Sequence, residues 1–154
     1  KSLHITGWKL GYVIAPPNIT TEMRKVHQYN TFTSGTPLQH AIANYLEEKP
    51  DYYAGIAALY QEKLDHFRER MKATPFEPLP TQGSYYQLYK YDRIQPEMSD
   101  TDFAIWLIEN HGVAVIPISV FYRDGTDNRI VRFCFAKTQD TLDQAIDRLC
   151  KISV

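Results

Sequence analysis

The periodicity of the apolar residues changes at Pro75, and this change constrains the fold more than any other feature. From Asp51 to Thr74 the apolar residues recur at helical spacing, which predicts one long helix that Pro75 ends. From Ser84 onward the patterns follow the order strand, helix, strand, strand, helix. That β-α-β-β-α order predicts an α+β layer with its helices packed on one face of a sheet.

Turn and capping signals set the expected bounds in this second half. Ser99 or Asp100 is expected to cap a helix that Gly112 closes, and Asp124 and Gly125 predict a turn. "SYYQLYKY", "VAVIP" and "RIVRFCFAK" are expected strands, and "TQDTLDQAIDRLCKI" is an expected final helix with Leu142, Ala145, Ile146 and Leu149 facing inward.

The first third of the chain has a different pattern. "WKLGYVIAP" predicts a strand with Leu10, Tyr12 and Ile14 on one face. Two helices are expected after it, the first capped by Thr20 or Thr21. The second is expected to begin at a capping box, with Thr36 as N-cap, Pro37 at the first helical position and Gln39 facing back.

Composition and charge exclude several function classes. The 154 residues carry 17 basic and 18 acidic side chains, so there is no basic surface for nucleic acid, and no Lys/Arg-rich run or long apolar run predicts a membrane partner. The histidines lack metal-ligand spacing, so no metal site is expected. Cys134 and Cys150 also lack such spacing and are expected as free, buried thiols in a reducing compartment, the cytoplasm.

Arg132 is the most informative residue inside an apolar run. In "IVRFCF" the alternation puts it on one strand face with Ile130 and Cys134, while Val131 and Phe133 face the other way. A guanidinium among so many apolar groups needs either an anionic partner or exposure to water. Two readings therefore stand: Arg132 binds a carboxylate through its planar fork, or it is an edge-strand arginine that reaches solvent.

Lys9 stands in a strand-like segment between Gly7 and Gly11. A lysine there could bind a phosphate, because glycine permits close approach of the backbone, or it could be an ordinary strand lysine. Lys1 alone carries no information, since terminal lysines are usually solvated. Ser34 and Ser119 have no base beside them in sequence, which argues against a serine hydrolase.

The chain resembles the fold-type I, class I and II aminotransferases that use pyridoxal 5′-phosphate. The opening "KSLHITGWKLGYVIAP" resembles the family's active-site segment, and "GTPLQHAIANYL", "QGSYYQL", "GVAVIPISVFY" and "IVRFCFAKTQDTLDQAIDRL" match its later landmarks in order. The resemblance covers the whole chain. It is most similar to the kynurenine, glutamine and methionine aminotransferase branch.

The resemblance implies roles for the three cationic residues. Lys1 would bind the cofactor aldehyde covalently and move the substrate Cα proton. Lys9 would hold the cofactor phosphate, although many relatives carry arginine there. Arg132 would pair with the substrate α-carboxylate.

The resemblance also implies partners and a substrate class. Tyr85, Phe121 and Tyr122 would line the substrate mouth, and an aromatic, uncharged mouth would favour a neutral, sulfur-containing or aromatic amino acid with a 2-oxo acid as acceptor. Phe32 and Thr33 would reach toward the neighbouring subunit of a homodimer.

By the same resemblance the chain is a mixed α/β C-terminal portion. Residues 1–48 would end the large cofactor domain, 49–75 would form the interdomain helix, and 76–154 would form the small domain. Three readings of function follow: an aminotransferase, a C–S β-lyase or regulator on the same fold, or an isolated portion that does not bind the cofactor.

Overall fold

The structure is a computed structural model that describes residues 3–153 and divides into two compact units, Lys1–Ala57 and Ala58–Val154. Lys1, the expected cofactor lysine, lies outside the described residues. The chain is a mixed α/β chain, as expected, with five α-helices and a small antiparallel sheet.

The first unit is built from helices. A single 3₁₀ turn, Thr6–Trp8, precedes helix α1, Pro17–Asn30, and helix α2, Thr36–Glu48. The strand predicted over "WKLGYVIAP" is wrong, because Lys9 has a left-handed backbone with φ of 56° and this segment pairs with no strand in the described part of the chain. An extended segment needs a partner for its backbone groups before it becomes a strand.

The helix starts in this unit also differ from the sequence expectation. Helix α1 begins at Pro17, whose fixed φ suits a first helical position, while Thr20 and Thr21 lie inside the helix and donate back to backbone carbonyls at 3.0 and 2.9 Å. Helix α2 is preceded by Gly35 and has no side-chain cap, so the predicted capping box is wrong.

Helix α3, Tyr52–Met71, contains the division between the units and buries Leu64, Phe67 and Met71. It ends four residues before Pro75. A proline ring clashes with the carbonyl four positions earlier and disfavours helical geometry at the residue before it, which explains the end at Met71.

After α3 the second unit contains β1 Glu77–Pro78, β2 Tyr86–Lys90, α4 Asp100–His111, β3 Ile116–Pro117, β4 Ile130–Cys134 and α5 Gln139–Leu149. Its strands form a four-stranded antiparallel sheet in the order β1-β2-β4-β3. The elements from β2 to α5 confirm the β-α-β-β-α order predicted from Ser84 onward, whereas β1 lies before Ser84 and is an additional strand that the sequence did not predict.

The sequence predicted both ends of α4 correctly. Ser99 accepts a hydrogen bond from the Asp102 backbone N–H, and Gly112 adopts a left-handed φ of 64° at the C-terminal end. The predicted strand "VAVIP" shrinks to Ile116–Pro117, which pairs with Arg132 and Val131 of β4. Val113 and Val115 are buried as expected but lie outside the strand.

The sheet has one covered and one half-exposed face. Gln87, Tyr89, Val131 and Phe133 are buried on the covered face, where the helices and an aromatic cluster pack. Inward residues of α5 contribute as predicted: Leu142, Ile146 and Leu149 are buried and Ala145 packs against them.

The cysteines differ from the sequence expectation of buried thiols. Both are free, but Cys134 is half-buried and Cys150 is exposed at the end of α5. Within residues 3–153, no helix has the length and apolar character required to cross a membrane.

Candidate active site

Arg132 lies on an interior strand of the sheet. Strand β4 is paired on both sides, and Arg132 stands opposite Leu88 of β2 and Ile116 of β3. The reading of Arg132 as an edge-strand arginine is therefore wrong. Its burial is intermediate, while Val131 and Phe133 beside it are buried, so the predicted alternation is correct.

Two aromatic rings flank the Arg132 guanidinium. Its Cζ lies 4.0 Å from the ring centroid of Tyr86 and 5.0 Å from that of Phe121. Its Nε is buried and makes no hydrogen bond, and the side chain forms no salt bridge within residues 3–153. Aromatic faces stabilise a guanidinium but give its N–H donors no hydrogen-bond acceptors.

This arrangement is chemically incomplete without an anion. A partly desolvated cation is costly unless a negative group compensates it, and a carboxylate matches the planar N–H fork. The neighbours on the same sheet face are Leu88, across the β2 pairing, and Cys134, two residues along β4. Arg132 thus offers positive charge for one carboxylate, and its neighbours on the sheet offer apolar surface.

Tyr86 is the flanking residue that the sequence did not single out. Its neighbour Tyr85, the expected mouth residue, is half-buried and packs against Tyr86 at 4.3 Å and Tyr60 at 6.3 Å between centroids. Only the cross-strand register, which pairs Tyr86 with Cys134, puts the Tyr86 ring beside Arg132. The sequence shows that "SYYQLYKY" alternates, but not how it aligns with β4.

The start of β2 is held in an unusual backbone geometry. Ser84 has φ of 133°, a value that L-residues rarely adopt, and its hydroxyl accepts a hydrogen bond from the Tyr86 backbone N–H at 3.1 Å. Such strain persists where surrounding structure fixes it, and it is concentrated at ligand sites.

Phe121 and Tyr122 lie on the connection between β3 and β4, residues 118–129. Phe121 ends a 3₁₀ turn, Ser119–Phe121, and Tyr122 follows it in extended geometry. Both residues are exposed, with exposed fractions of 60% and 45%. The structure thus brings Phe121 to Arg132, whereas no contact of Tyr122 with the guanidinium is recorded among the described residues.

Lys9 belongs to the first unit. Its side chain is exposed and makes no ion pair within residues 3–153, and its backbone N–H donates to the Thr6 carbonyl at 3.3 Å. A Cβ added at Gly7 or Gly11 would meet nothing within 4 Å, so the segment around Lys9 is open.

Phe32 and Thr33 lie between α1 and α2. Phe32 is 77% exposed and has a left-handed φ of 65°, which is a strained conformation for an aromatic residue. The Thr33 hydroxyl donates to the Ser34 carbonyl at 3.1 Å.

An open groove of about 600 Å³ runs through the first unit. Leu10, Tyr12, Gln39 and Tyr53 are among its lining residues. Burial raises the pKa of Tyr53, and the charge of Tyr12 and a hydrogen bond with its side chain raise it further. Among residues 3–153, no three His, Cys, Asp or Glu side chains cluster as a metal site.

The model of the family named aminotransferase class I and II matches residues 1–149. The chain belongs to that family. Aminotransferases of this class generally depend on pyridoxal 5′-phosphate and act on amino acids and 2-oxo acids.

Two curated relatives illustrate the similarity. The methionine aminotransferase of Escherichia coli is 42% identical over 149 residues, which are 97% of this chain and 38% of that protein. The kynurenine–oxoglutarate transaminase 1 of Mus musculus is 31% identical over 170 residues, 97% of this chain and 40% of that protein. The chain therefore spans about two fifths of the length of these relatives.

Solved structures agree with this assignment. The crystal structure of YbdL from Escherichia coli, reported with a methionine aminotransferase function, superposes with a TM-score of 0.88 at 41% identity, over 98% of this chain and 39% of that one. N-succinyldiaminopimelate aminotransferase from Mycobacterium tuberculosis gives a TM-score of 0.84 at 30% identity, over 99% and 40%. The chain thus has the fold of a portion of a fold-type I aminotransferase.

The residues present fit an anionic cofactor and an anionic substrate. Lys9 offers an unpaired ammonium in an open segment, as a phosphate requires, and Arg132 offers an unpaired guanidinium to a carboxylate. When bound, pyridoxal phosphate supplies an electron sink for the bonds at the substrate Cα.

Proposed function

We propose that the protein to which this chain belongs is a pyridoxal-phosphate-dependent aminotransferase. Its reaction moves an amino group between a neutral, sulfur-containing or aromatic L-amino acid and a 2-oxo acid. The observation that carries the proposal is the Arg132 guanidinium, half-buried, flanked by Tyr86 and Phe121, and without an ionic partner in residues 3–153.

Arg132 is assigned to the substrate α-carboxylate. Two parallel N–H···O bonds would fix the orientation of the carboxylate, and hence of the Cα that reacts. Every α-amino acid and every 2-oxo acid carries this carboxylate, so one arginine would serve both substrates.

Tyr85, Phe121 and Tyr122 are assigned to the substrate mouth. Phe121 lies beside Arg132, and the surfaces next to the guanidinium are aromatic and aliphatic. A second carboxylate, as in aspartate, would lack a cationic partner among these residues, so neutral and aromatic side chains are favoured.

Lys1 and Lys9 are assigned to the cofactor. Lys1 would bind the aldehyde, and once the substrate amine displaces it, its freed ε-amine would accept and return the substrate Cα proton. Lys9 would hold the phosphate by charge. Its left-handed backbone ends the 3₁₀ turn and so sets the direction in which its side chain leaves the chain.

The organisation of the whole protein forms part of the same proposal. Residues 1–48 would belong to the large domain, 49–75 to the connecting helix and 76–154 to the small domain. Phe32 and Thr33 would contact the second subunit of a homodimer, to which the exposure and left-handed backbone of Phe32 lend support. The protein would act in the cytoplasm.

A direct assay tests the proposal. The full-length protein with pyridoxal phosphate should convert methionine or kynurenine and a 2-oxo acid into the exchanged products, and aspartate should be a poor donor. Arg132→Gln should raise the KM for both substrates. Release of ammonia and pyruvate from cystathionine without amino-group exchange would instead indicate a β-lyase, and no reaction with any amino acid would refute both activities.

A further inference from the structure

Asp100 is a buried carboxylate whose partner is not a cation. It is 1% exposed, at the first position of α4, and it forms no salt bridge within residues 3–153. Its Oδ2 accepts a hydrogen bond from the Ser119 backbone N–H at 2.7 Å, and its Oδ1 accepts one from the Ser119 hydroxyl at 2.6 Å. Burial of a carboxylate is costly, so both oxygens need such partners.

A second carboxylate, that of Asp127, links the start of α4 to the other end of the connection between β3 and β4. The Asp100 backbone N–H donates to Asp127 Oδ2 at 2.8 Å, and Asp127 Oδ1 accepts the Arg129 backbone N–H at 2.7 Å. The start of α4 is thus bonded both to the segment that leaves β3 and to the segment that enters β4. Among the described residues, the Asp100 and Asp127 side chains make the hydrogen bonds that join the start of α4 to the connection between β3 and β4.

The segment held in this way carries Phe121. Ser119 begins the 3₁₀ turn that Phe121 ends, and the Phe121 backbone N–H donates to the Ile118 carbonyl at 3.0 Å. Phe121 itself is exposed. The turn that carries its ring is bonded at Ser119 to Asp100, and the Ile118 N–H donates to the Ile130 carbonyl of β4 at 3.3 Å. Phe121 lies at 5.0 Å from the Arg132 guanidinium on a backbone held by these bonds.

We propose that Asp100 is a positioning residue for the substrate site: by holding Ser119 it keeps Phe121 over Arg132 and so sets the affinity of the guanidinium for the substrate carboxylate. This inference rests on the proposed function of Arg132. With the ring in place, one face of the guanidinium is shielded from water and its edge donors point in a fixed direction. With the ring displaced, the guanidinium is more hydrated and more mobile, and it binds a carboxylate less tightly.

Steady-state kinetics on the full-length enzyme with its cofactor test this role. Asp100→Asn keeps the volume but removes the negative charge that strengthens both bonds to Ser119, and the Ser119 hydroxyl must turn to accept from the new amide. We expect the KM for the amino acid to rise about tenfold while kcat changes less than about twofold. Ser119→Ala removes only the hydroxyl bond, and we expect a rise in KM of about threefold. Asp102→Asn, on the exposed side of the same helical turn, is the matched control and should leave KM unchanged.

A double-mutant cycle separates positioning from general destabilisation. If Asp100 acts through the ring, Asp100→Asn should add no further rise in KM to a Phe121→Ala enzyme. Independent, multiplicative effects of the two substitutions would overturn the proposal. If Asp100→Asn fails to fold, the Ser119→Ala and Phe121→Ala pair serves the same cycle.

Crystal structures of the variants make the result independent of the reaction. In Asp100→Asn or Ser119→Ala, the Phe121 ring should leave its place beside Arg132, whereas in Asp102→Asn it should remain. If the parent enzyme transfers no amino group, the proposed function fails, but the ring displacement still tests the link from Asp100 to Phe121. A ring that stays in place in both variants refutes that link.

Discussion

The two units of the chain differ in how they use their apolar residues. In the second unit Phe67, Phe103 and Phe133 are at most 5% exposed and form one aromatic core with the sheet. In the first unit no described residue is buried, and Ile14 and Tyr29 are 90% and 87% exposed. The second unit therefore buries its own apolar residues, whereas the first exposes apolar surface that a stable protein would cover.

This contrast teaches that hydrophobic patterning alone does not make an independent fold. Helices α1 and α2 have clear sequence signals and form as helices, yet they bury no side chain within the described residues. Short helices gain most of their stability from packing rather than from propensity, so the described residues of this unit supply little of the packing that would stabilise these two helices.

Separating the units should have the largest effect. We expect residues 58–154 alone to fold and to unfold cooperatively in urea, because all buried residues of the described chain belong to that unit. Residues 1–57 alone should show little helix by circular dichroism. A cooperative transition in the 1–57 peptide would contradict the contrast between the units.

Truncating one aromatic residue in each unit should show the same contrast at single-residue scale. Phe103→Ala removes a fully buried ring that stacks on Tyr91 at 3.9 Å, and it should cost about 3–5 kcal/mol of unfolding free energy. Tyr29→Ala, near the end of α1, should change the stability of the 154-residue chain by less than about 0.5 kcal/mol. Similar urea midpoints for the two variants would show that the first unit is packed after all.

Glycine substitutions sharpen the comparison further. Gly112→Ala imposes a side chain on a φ of 64°, which should lower the free energy of unfolding by about 1–2 kcal/mol. It also puts a Cβ 2.7 Å from the Arg148 Nη1, so displacing Arg148 should add to this cost. Gly125→Ala, with φ of 67° and open space, measures the backbone cost by itself. Gly11→Ala in the first unit should cost nothing. Thermal unfolding of the three variants gives the ranking, and equal costs at Gly112 and Gly125 would show that Arg148 yields freely.

Two buried tyrosines of the second unit should respond in opposite directions to loss of the hydroxyl. The Tyr89 hydroxyl is buried without a hydrogen-bond partner, so Tyr89→Phe should stabilise the protein by about 1 kcal/mol. The Tyr91 hydroxyl donates to the Met98 carbonyl at 2.9 Å, so Tyr91→Phe should destabilise it by about 1 kcal/mol. Equal effects would mean that a water molecule satisfies Tyr89.

Alkaline pH provides a second readout for Tyr89. Burial raises the pKa of Tyr89 from 10.0 to about 12, so the folded state favours the neutral hydroxyl. The resulting stability is complete below pH 10 and is lost as the pH rises from about 10 to 12, since the unfolded tyrosine ionises first. Denaturant titrations across this range should show a shallower decline for Tyr89→Phe than for the parent protein. An unchanged decline would assign it to other groups, such as Tyr91, whose pKa burial also raises.

Sequence reasoning recovered the features that local signals determine. Ser99 and Gly112 mark the ends of α4, and the alternation around Arg132 gives the correct strand faces. It failed where an outcome depends on a distant partner. The segment over Leu10, Tyr12 and Ile14 alternates like a strand, but nothing in the described chain pairs with it.

The candidate site shows the same limit. Arg132 was identified from its strand pattern and from the family resemblance, but the ring of Tyr86 reaches it only through the register of β2 against β4. Asp100 was recognised only as a possible cap. Its bonds to Ser119 cross 19 positions of sequence, and no local pattern predicts them.

The central claim is that Arg132 binds the substrate carboxylate. It can be tested directly, without turnover. The deaminated analogue of methionine keeps the carboxylate but cannot react, so its dissociation constant in calorimetry on the full-length enzyme reports carboxylate binding. We predict that Arg132→Gln weakens this binding by about 30-fold or more and that Arg132→Lys is intermediate, as the loss of a bidentate, charge-assisted contact requires. Equal affinity of the parent enzyme and Arg132→Gln would contradict the assignment.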